Sequence, residues 1–492
     1  MNQQSTSEQS LFLEPGSFQS ITLGNLGLEP FEIERVLDVN MAQTINEHGQ
    51  LYVKAMLPAD TKEADVIGIR ETMNIALTCD KQVIFQGLAQ DVIISKIDYT
   101  YFIEVHVISY SYLLDISYNS CSFQDKNMPY ADLITDVISK YTGADFIDTA
   151  SKGATIDHFI MQYLETDWQF LCRMASHFNA GLICDVRFDS PKFFFGLPEQ
   201  DYIDVENVNY CVRKDLKKYR YLQENGVKGI QEDDFICYDI KCNQALQVGD
   251  RINFGNTQQQ VESVSYHVDG DLIISNCCLT TKEGLCQPYT PHNPVSGCSF
   301  IGEVIDVEND RVKVHLNVDS SQDVATAKWF PYATVYSSED GAGWYAMPCV
   351  GDTVRIHFPD GDDDHAYAAN SVHEPSDPPV PGNIAVPYPT GSLRDDPAIK
   401  SIRHPSGKEI TLTEDGVYIT DGIGSIITMT EDGVLIKSEY DIEFNSEQDI
   451  NIYAKENIQM VAEEIVEISA GDTAKIVMED DVEVQGQEVK SN

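Results

Sequence analysis

The sequence predicts a mainly-β chain of several domains, and three observations carry that prediction. Short β-branched and aromatic runs, separated by turn residues, recur between residues 83 and 358. Within that span only two stretches repeat their apolar residues at helical spacing. Residues 403–492 are dominated by an eight-residue repeat. At 492 residues, the chain also exceeds what one hydrophobic core organises.

The first domain spans 1–290. Val83 to Gly87, Val92 to Ile94 and Tyr101 to Ile108 are strand-like runs of the kind found in barrels and sandwiches. The same texture returns from Phe193 to Thr281, so a helical insert at about 127–182 separates two β-rich halves. Inside the insert, Tyr130, Leu133, Ile134, Val137, Ile138 and Tyr141 form one apolar helical face, with Pro129 at its start. A second helix opens at Thr166, with Gln169 three residues on as a capping box. It is expected to bury Phe170, Leu171, Met174 and Phe178 and to stop before Gly181. His177, late in that helix, reads as a cation at the dipole's negative end.

A small β-barrel is expected over 295–375, from runs such as Arg311 to Leu316 and Gly351 to Phe358. A Pro-rich linker over 376–402 favours extended backbone. The repeat then begins: ITLTEDGVYIT from Ile410 returns as ITMTEDGVLIK from Ile427. Ile426, Val434, Ile442, Ile450, Ile458, Val466, Ala474 and Val482 lie eight apart. So do Thr428, Ile436, Phe444, Ile452, Met460, Ile468, Ile476 and Val484. The two positions of each octad are i and i+2, which share one face of a strand. The pattern is that of a β-solenoid or β-helix, in which either one chain closes each coil or three chains share a prism.

Charge narrows the function. Lys and Arg number 33 against 79 Asp and Glu, a net of −46, which repels phosphate backbones and anionic membrane surfaces. The opening MNQQSTSEQS has no basic or apolar region of a signal peptide, and no run of 18 apolar residues occurs. The protein is therefore expected to be made in the cytoplasm, with reduced cysteines. The twelve cysteines show no CxxC pair or zinc-finger spacing.

Nucleotide, hydrolase and metalloprotease motifs are absent. Asp360, Asp362, Asp363, Asp364 and His365 lack the EF-hand order and read as an acidic hairpin tip. Glu165 and Asp167 flank Thr166 and could resemble a glycosidase carboxylate pair, but they also suit a helix N-terminus. No catalytic, cofactor or metal residue is expected.

YLETDWQFLCRMASHFNAG, from Tyr163 to Gly181, resembles the helix-start motif of VgrG spike proteins and phage late-control hub proteins. Tyr163, Glu165, Thr166, Asp167, Phe170, Leu171 and Arg173 match that motif, while Met174 replaces its leucine. From Phe300, GEVIDVENDRVKVHL and the stretch WFPYATVYSSEDGAGWYAMPCVGDTVRIHFPDG resemble the spike's OB-fold. Trp329, Gly343, Pro348, Gly351, Asp352, Val354, Phe358 and Gly361 stand at the family's positions. The octads resemble the triple-stranded β-helix that follows it.

The resemblance implies a hub domain of two β-barrels with the helical insert, an OB-fold domain, the linker and a β-helix spike over 403–492. It implies a homotrimeric central spike and baseplate hub of a contractile injection machine, as in type VI secretion, myophage tails or R-type bacteriocins. In that prism Val434, Ile436, Ile442, Phe444, Ile450, Ile452, Ile458, Met460, Val466, Ile468 and Ile476 would form the trimer core. Implied partners are further copies of the chain, tail-tube and baseplate proteins, and a PAAR-type tip protein at the C-terminal end, with no nucleic acid and no stable membrane insertion. The chain is expected to work in a phage-tail-like particle or secretion apparatus, delivered outside the cell or into a target. No lysozyme-like domain is expected after the OB-fold, no toxin after Asn492 and no HxH iron tip, since no histidine follows His404. A peptidoglycan hydrolase using Glu165 or Asp167, or a trimeric adhesive fibre, are the alternatives.

Overall fold

A computed structural model of the chain describes residues 21–61, 68, 70, 72–206, 208–340, 342–371, 396–470 and 474–478. The chain divides into two compact units, Met1–Glu374 and Pro375–Asn492.

The first unit opens with β1 (Leu26–Glu29), β2 (Arg35–Thr44), β3 (Gln50–Leu57), β4 (Asn74–Cys79), β5 (Gln82–Ile97) and β6 (Thr100–Ser109). Period-two burial sets their faces; in β3, for example, Leu51, Val53, Ala55 and Leu57 point inward. Asp98 and Tyr99, both at positive φ, turn β5 tightly into β6.

The insert follows with β7 (Tyr118–Phe123), α1 (Tyr130–Ile138), β8 (Asp145–Asp148), β9 (Ile160–Thr166), α2 (Asp167–Ser176), β10 (Leu182–Cys184) and β11 (Lys192–Phe195). It is mixed rather than purely helical, since β7 pairs β9 and β11 lies between β10 and β8. The helix α1 buries Tyr130, Leu133, Ile134, Val137 and Ile138, and Pro129 sits at its N-cap. Phe170, Leu171 and Met174 of α2 are buried; Phe178 is half-buried. The helix ends at Ser176, earlier than Gly181 suggested, and Asn179 takes the left-handed conformation. Gly181 instead permits close packing, because a Cβ there would lie 2.5 Å from Ile45 Cγ2.

The second half contains β12 (Ile203–Val205), β13 (Asn209–Lys214), α3 (Leu216–Glu224), β14 (Ile236–Cys242), β15 (Arg251–Phe254), β16 (Thr257–Asp269) and β17 (Leu272–Thr280). The helix α3 was not anticipated. Only Leu222 of it is buried, so it has almost no apolar face to read, although Asp215 caps it by accepting from Lys218 N. The two β-rich halves are joined edge to edge in one twelve-stranded sheet, because β2 pairs with β16. Their side chains, with those of α1 and α2, form one continuous core.

The closed barrel follows: β18 (Ser299–Glu308), β19 (Arg311–Leu316), β20 (Trp329–Ala333), β21 (Thr353–His357) and β22 (Tyr367–Ala369), in the order β18-β19-β20-β22-β21. Val304, Val312, Val314, Phe330, Val354, Ile356 and Phe358 fill it.

The second unit contains β23 (Lys400–Arg403), β24 (Glu409–Leu412), β25 (Gly416–Thr420), β26 (Ile426–Thr430) and β27 (Gly433–Lys437), an antiparallel meander, and a hairpin of β28 (Val466–Ala470) and β29 (Ala474–Met478). The strand β23 begins inside the stretch expected to be linker; most of that stretch, and Val482 and Val484, lie outside the described residues. The twin ITxTEDG segments form the meander, and Asp421 closes its β25–β26 turn by accepting from the amides of Ile423, Gly424 and Ser425.

Candidate functional site: a buried clamp and an open apolar face

The family-like motif builds a clamp between the insert and the barrel. Thr166 caps α2 by accepting from Gln169 N at 3.2 Å, while Gln169 Oε1 accepts from Thr166 N at 3.3 Å. This fixes Glu165 and places Arg173, further along α2, beside it. Arg173 donates from Nε and Nη2 to the two Glu165 oxygens, each at 2.8 Å, and from Nη2 to Met161 O at 2.6 Å.

The barrel supplies the other half. Asp363 Oδ2 accepts from Met161 N at 3.0 Å and lies 3.6 Å from Arg173 Nη1. Between them His292 reaches Asp363 Oδ1 at 3.0 Å through Nδ1 and Glu165 Oε2 at 3.5 Å through Nε2. All four side chains are buried. A buried pair repays its desolvation only when its hydrogen bonds are well satisfied, and removing one member leaves an uncompensated charge costing about 3–5 kcal/mol.

Apolar packing seals the same joint. Phe159 and Met161 belong to the barrel's core, and the Phe159 ring lies 5.3 Å from that of Phe330. Tyr163, half-buried, sets its ring edge-on to Phe300 at 4.8 Å. Asp319 accepts from Ser122 N at 2.7 Å, and Gln124 bridges to Val314 O and Lys328 N.

Asp167 faces a separate network, taking hydrogen bonds from Asn119 at 3.0 Å, Gln162 at 2.9 Å and Tyr141 at 2.6 Å, and an ion pair from Lys140 at 2.7 Å. Glu165 and Asp167 are thus saturated and divided between two networks, unlike a general acid and base facing one substrate. Phe170 stacks on Phe123, with centroids 5.6 Å apart, beneath the Arg173 guanidinium.

Two expectations are corrected. Asp363 is not part of an exposed acidic tip: it turns inward, while Asp360, Asp362 and His365 stay at the surface. His177 is no helix-end cation, because burial pushes its pKa down to about 4 and the Arg173 charge acts in the same direction. Its Nδ1 pairs with Tyr130 OH at 2.7 Å.

The sequence also gave no sign of a Ser–His–Asp line in the hub. His48 Nδ1 meets Ser111 Oγ at 2.8 Å and its Nε2 meets Asp115 at 3.3 Å. Ser111 is buried and bonded to Ser109 Oγ, while Asp115 also accepts from Thr166 Oγ1. The line therefore braces the cap of α2 and leaves its serine without substrate access.

In the second unit the expected trimer-core residues lie on open surface. Val434, Ile436, Ile442, Phe444, Ile450, Ile452, Ile458, Met460, Ile468 and Ile476 are each about half exposed or more, and Val466 is half-buried. Residues 441–465 pair with no other strand of the chain among the described residues. The octad phase does not hold throughout: Ile427 pairs with Ile436, so Ile426 and Thr428 face away from Val434 and Ile436. In the last hairpin Ile468 pairs with Ile476, and there the octads share a face. A row the octads did not reveal crosses the meander, one isoleucine per strand: Ile402, Ile410, Ile419, Ile427 and Ile436.

The chain thus joins a mixed β region to a small closed barrel through a buried clamp, with a β-rich repeat later in the sequence. Residues 300–373 match the family model described as the type VI secretion system/phage-baseplate injector OB domain. Among solved structures, the E. coli c3393 protein, described as a type VI secretion component similar to the T4 phage tail proteins gp27 and gp5, superposes with a TM-score of 0.51 at 14% identity, covering 71% of this chain and 99% of that one. A chain of the Francisella PdpA–VgrG complex superposes with a TM-score of 0.52 at 8% identity, covering 87% of this chain and 89% of that one. No significant sequence match was found among curated proteins. The chain is VgrG-like in fold and carries the injector OB domain.

Proposed function

We propose that the chain is a homotrimeric central spike and baseplate hub of a contractile injection machine, and that it acts mechanically rather than as an enzyme. One observation supports this reading: the isoleucine row of the meander and most of the octad side chains expose apolar surface on the single chain. Exposed apolar side chains in such number suit an interface, and burying them at about 25 cal/mol per Å² would hold copies firmly together. Three copies arranged as a prism would cover it and supply 441–465 with strand partners. The acidic surface would keep such a shaft soluble.

The hub would seat on the tail tube, the clamp would carry load from the barrel to the hub, and a PAAR-type tip protein would cover the far end of the prism. Assembly would occur in the cytoplasm and delivery outside the cell or into a target. No described helix is long and apolar enough to cross a membrane.

The test is incorporation into the particle. Wild-type chain is expected to copurify with sheath and tube proteins from the producing cell, and Ile450→Asp to be missing from them. Spiked, active particles assembled without this chain would overturn the reading. Clearing of peptidoglycan by the purified wild-type chain but not by Glu165→Gln would favour the hydrolase alternative.

A further inference from the structure

We propose a thiolate metal site in the hub, formed by Cys237, Cys278 and Glu262 and suited to zinc. These residues come from three adjacent strands: Cys237 from β14, Cys278 from β17 and Glu262 from β16. Their ligand atoms all lie within 4.8 Å of one another, and Cys278 Sγ is 3.2 Å from Glu262 Oε2.

Sheet geometry explains the convergence. In the β14–β17 ladder Tyr238 faces Leu279 and Asp239 faces Cys278, so Cys237 and Cys278 are diagonal neighbours on one face. Glu262 is the extra residue of a β-bulge, since the β16–β17 register slips between Val261 and Ser263. A bulge re-aims one side chain without ending the ladder, and this one turns Glu262 onto the cysteines' face. Both cysteines are buried and Glu262 is half-buried, so a fourth ligand would be water reaching the ion from the carboxylate side.

The surroundings match a metal thiolate. Two thiolates and a carboxylate around a divalent ion carry one net negative charge. Arg213 Nη2 donates to Cys278 Sγ at 3.3 Å and Lys218 Nζ donates to Glu262, so two cations stand just outside the ligands. Such outer N–H donors orient the ligands and offset excess charge. Two sulfurs and one oxygen favour zinc over calcium or magnesium. On binding, each S–H bond is replaced by a metal–sulfur bond of about 2.3 Å and two protons pass to solvent. Cys237 and Cys278 are 41 positions apart, which hides the pair from any spacing motif.

The test uses the full chain, stripped of metal and kept reduced, titrated with Co²⁺. One Co²⁺ per chain is expected, with the sulfur-to-cobalt charge-transfer band and the visible bands of a tetrahedral site, displaced by Zn²⁺. Cys278→Ser and Cys237→Ser should abolish the charge-transfer band or reduce it to a single-thiolate remnant. Cys211→Ser, on exposed β13, should leave it intact. Glu262→Gln keeps both thiols and should weaken Co²⁺ affinity about tenfold or more. Absence of the band in protein with both thiols free, or its persistence unchanged in a folded Cys278→Ser variant, would overturn the site. So would a Cys237–Cys278 disulfide in protein isolated without oxidant.

Discussion

Phe170 and Phe444 are the same residue in two opposite situations. The Phe170 ring lies fully buried between Phe123 and Arg173, whereas Phe444 is 71% exposed in the single chain. The hub–barrel unit completes its core from one chain and places an ionic clamp inside it. Among its described residues the octad unit has strands and apolar side chains but no second layer to receive them. In the first region sequence distance is bridged by folding; in the second, the proposal is that the layer comes from another copy of the chain.

The clamp offers the largest effect. Arg173→Leu strands Glu165 and Asp363 in the interior and is expected to cost about 3–5 kcal/mol in denaturant unfolding of the hub–barrel unit. A loss below about 1 kcal/mol would mean that the joint rests on Phe159, Met161 and Tyr163 instead. The paired phenylalanines come next. Phe170→Ala is expected to cost about 3–5 kcal/mol at any protein concentration. Phe444→Ala should leave the unfolding of the hub unchanged and show only as a concentration-dependent weakening of assembly. Equal effects in dilute protein would erase the contrast between the regions.

Acid tests the buried interior at intermediate strength. His177 is held near 4 in the folded chain against its usual 6.5, so the unfolded chain binds more protons between those values. Stability from this group is fully present above about pH 6.5 and declines as pH falls toward 4. Buried Asp250, raised to about 6 by desolvation, acts in the opposite direction. His177→Gln should therefore flatten the acid loss seen in melts between pH 6.5 and 4, and an unchanged slope would assign that loss elsewhere. The smallest effect belongs to the cap. Thr166→Ala should lower stability by about 1 kcal/mol, while Thr166→Ser should stay near wild type in the same melt.

Much of this was legible in the sequence. The period of α1, the capping box at Thr166 and the alternation of the barrel strands are local signals, and the structure follows them. The clamp was half legible: Glu165 and Arg173 stand in one motif, but Asp363 lies about 200 positions beyond it and looked like a surface acid. His292 sits in no motif at all. The joining of β2 to β16 was hidden for the same reason, since nothing local tells a strand which distant edge it will meet. In the octads the repeat is plain, yet a hairpin's register decides which face each pair takes. Ile427 opposite Ile436 reverses the face that spacing alone assigns to Ile426.

The most direct measurement is the native mass of the intact protein at low micromolar concentration. A mass three times that of the 55.0 kDa chain, lost in Ile450→Asp while the hub stays folded, is the predicted result. A single-chain mass, with amides of 441–465 nonetheless protected from hydrogen exchange, would show that the chain covers its own apolar face and would contradict the shared prism.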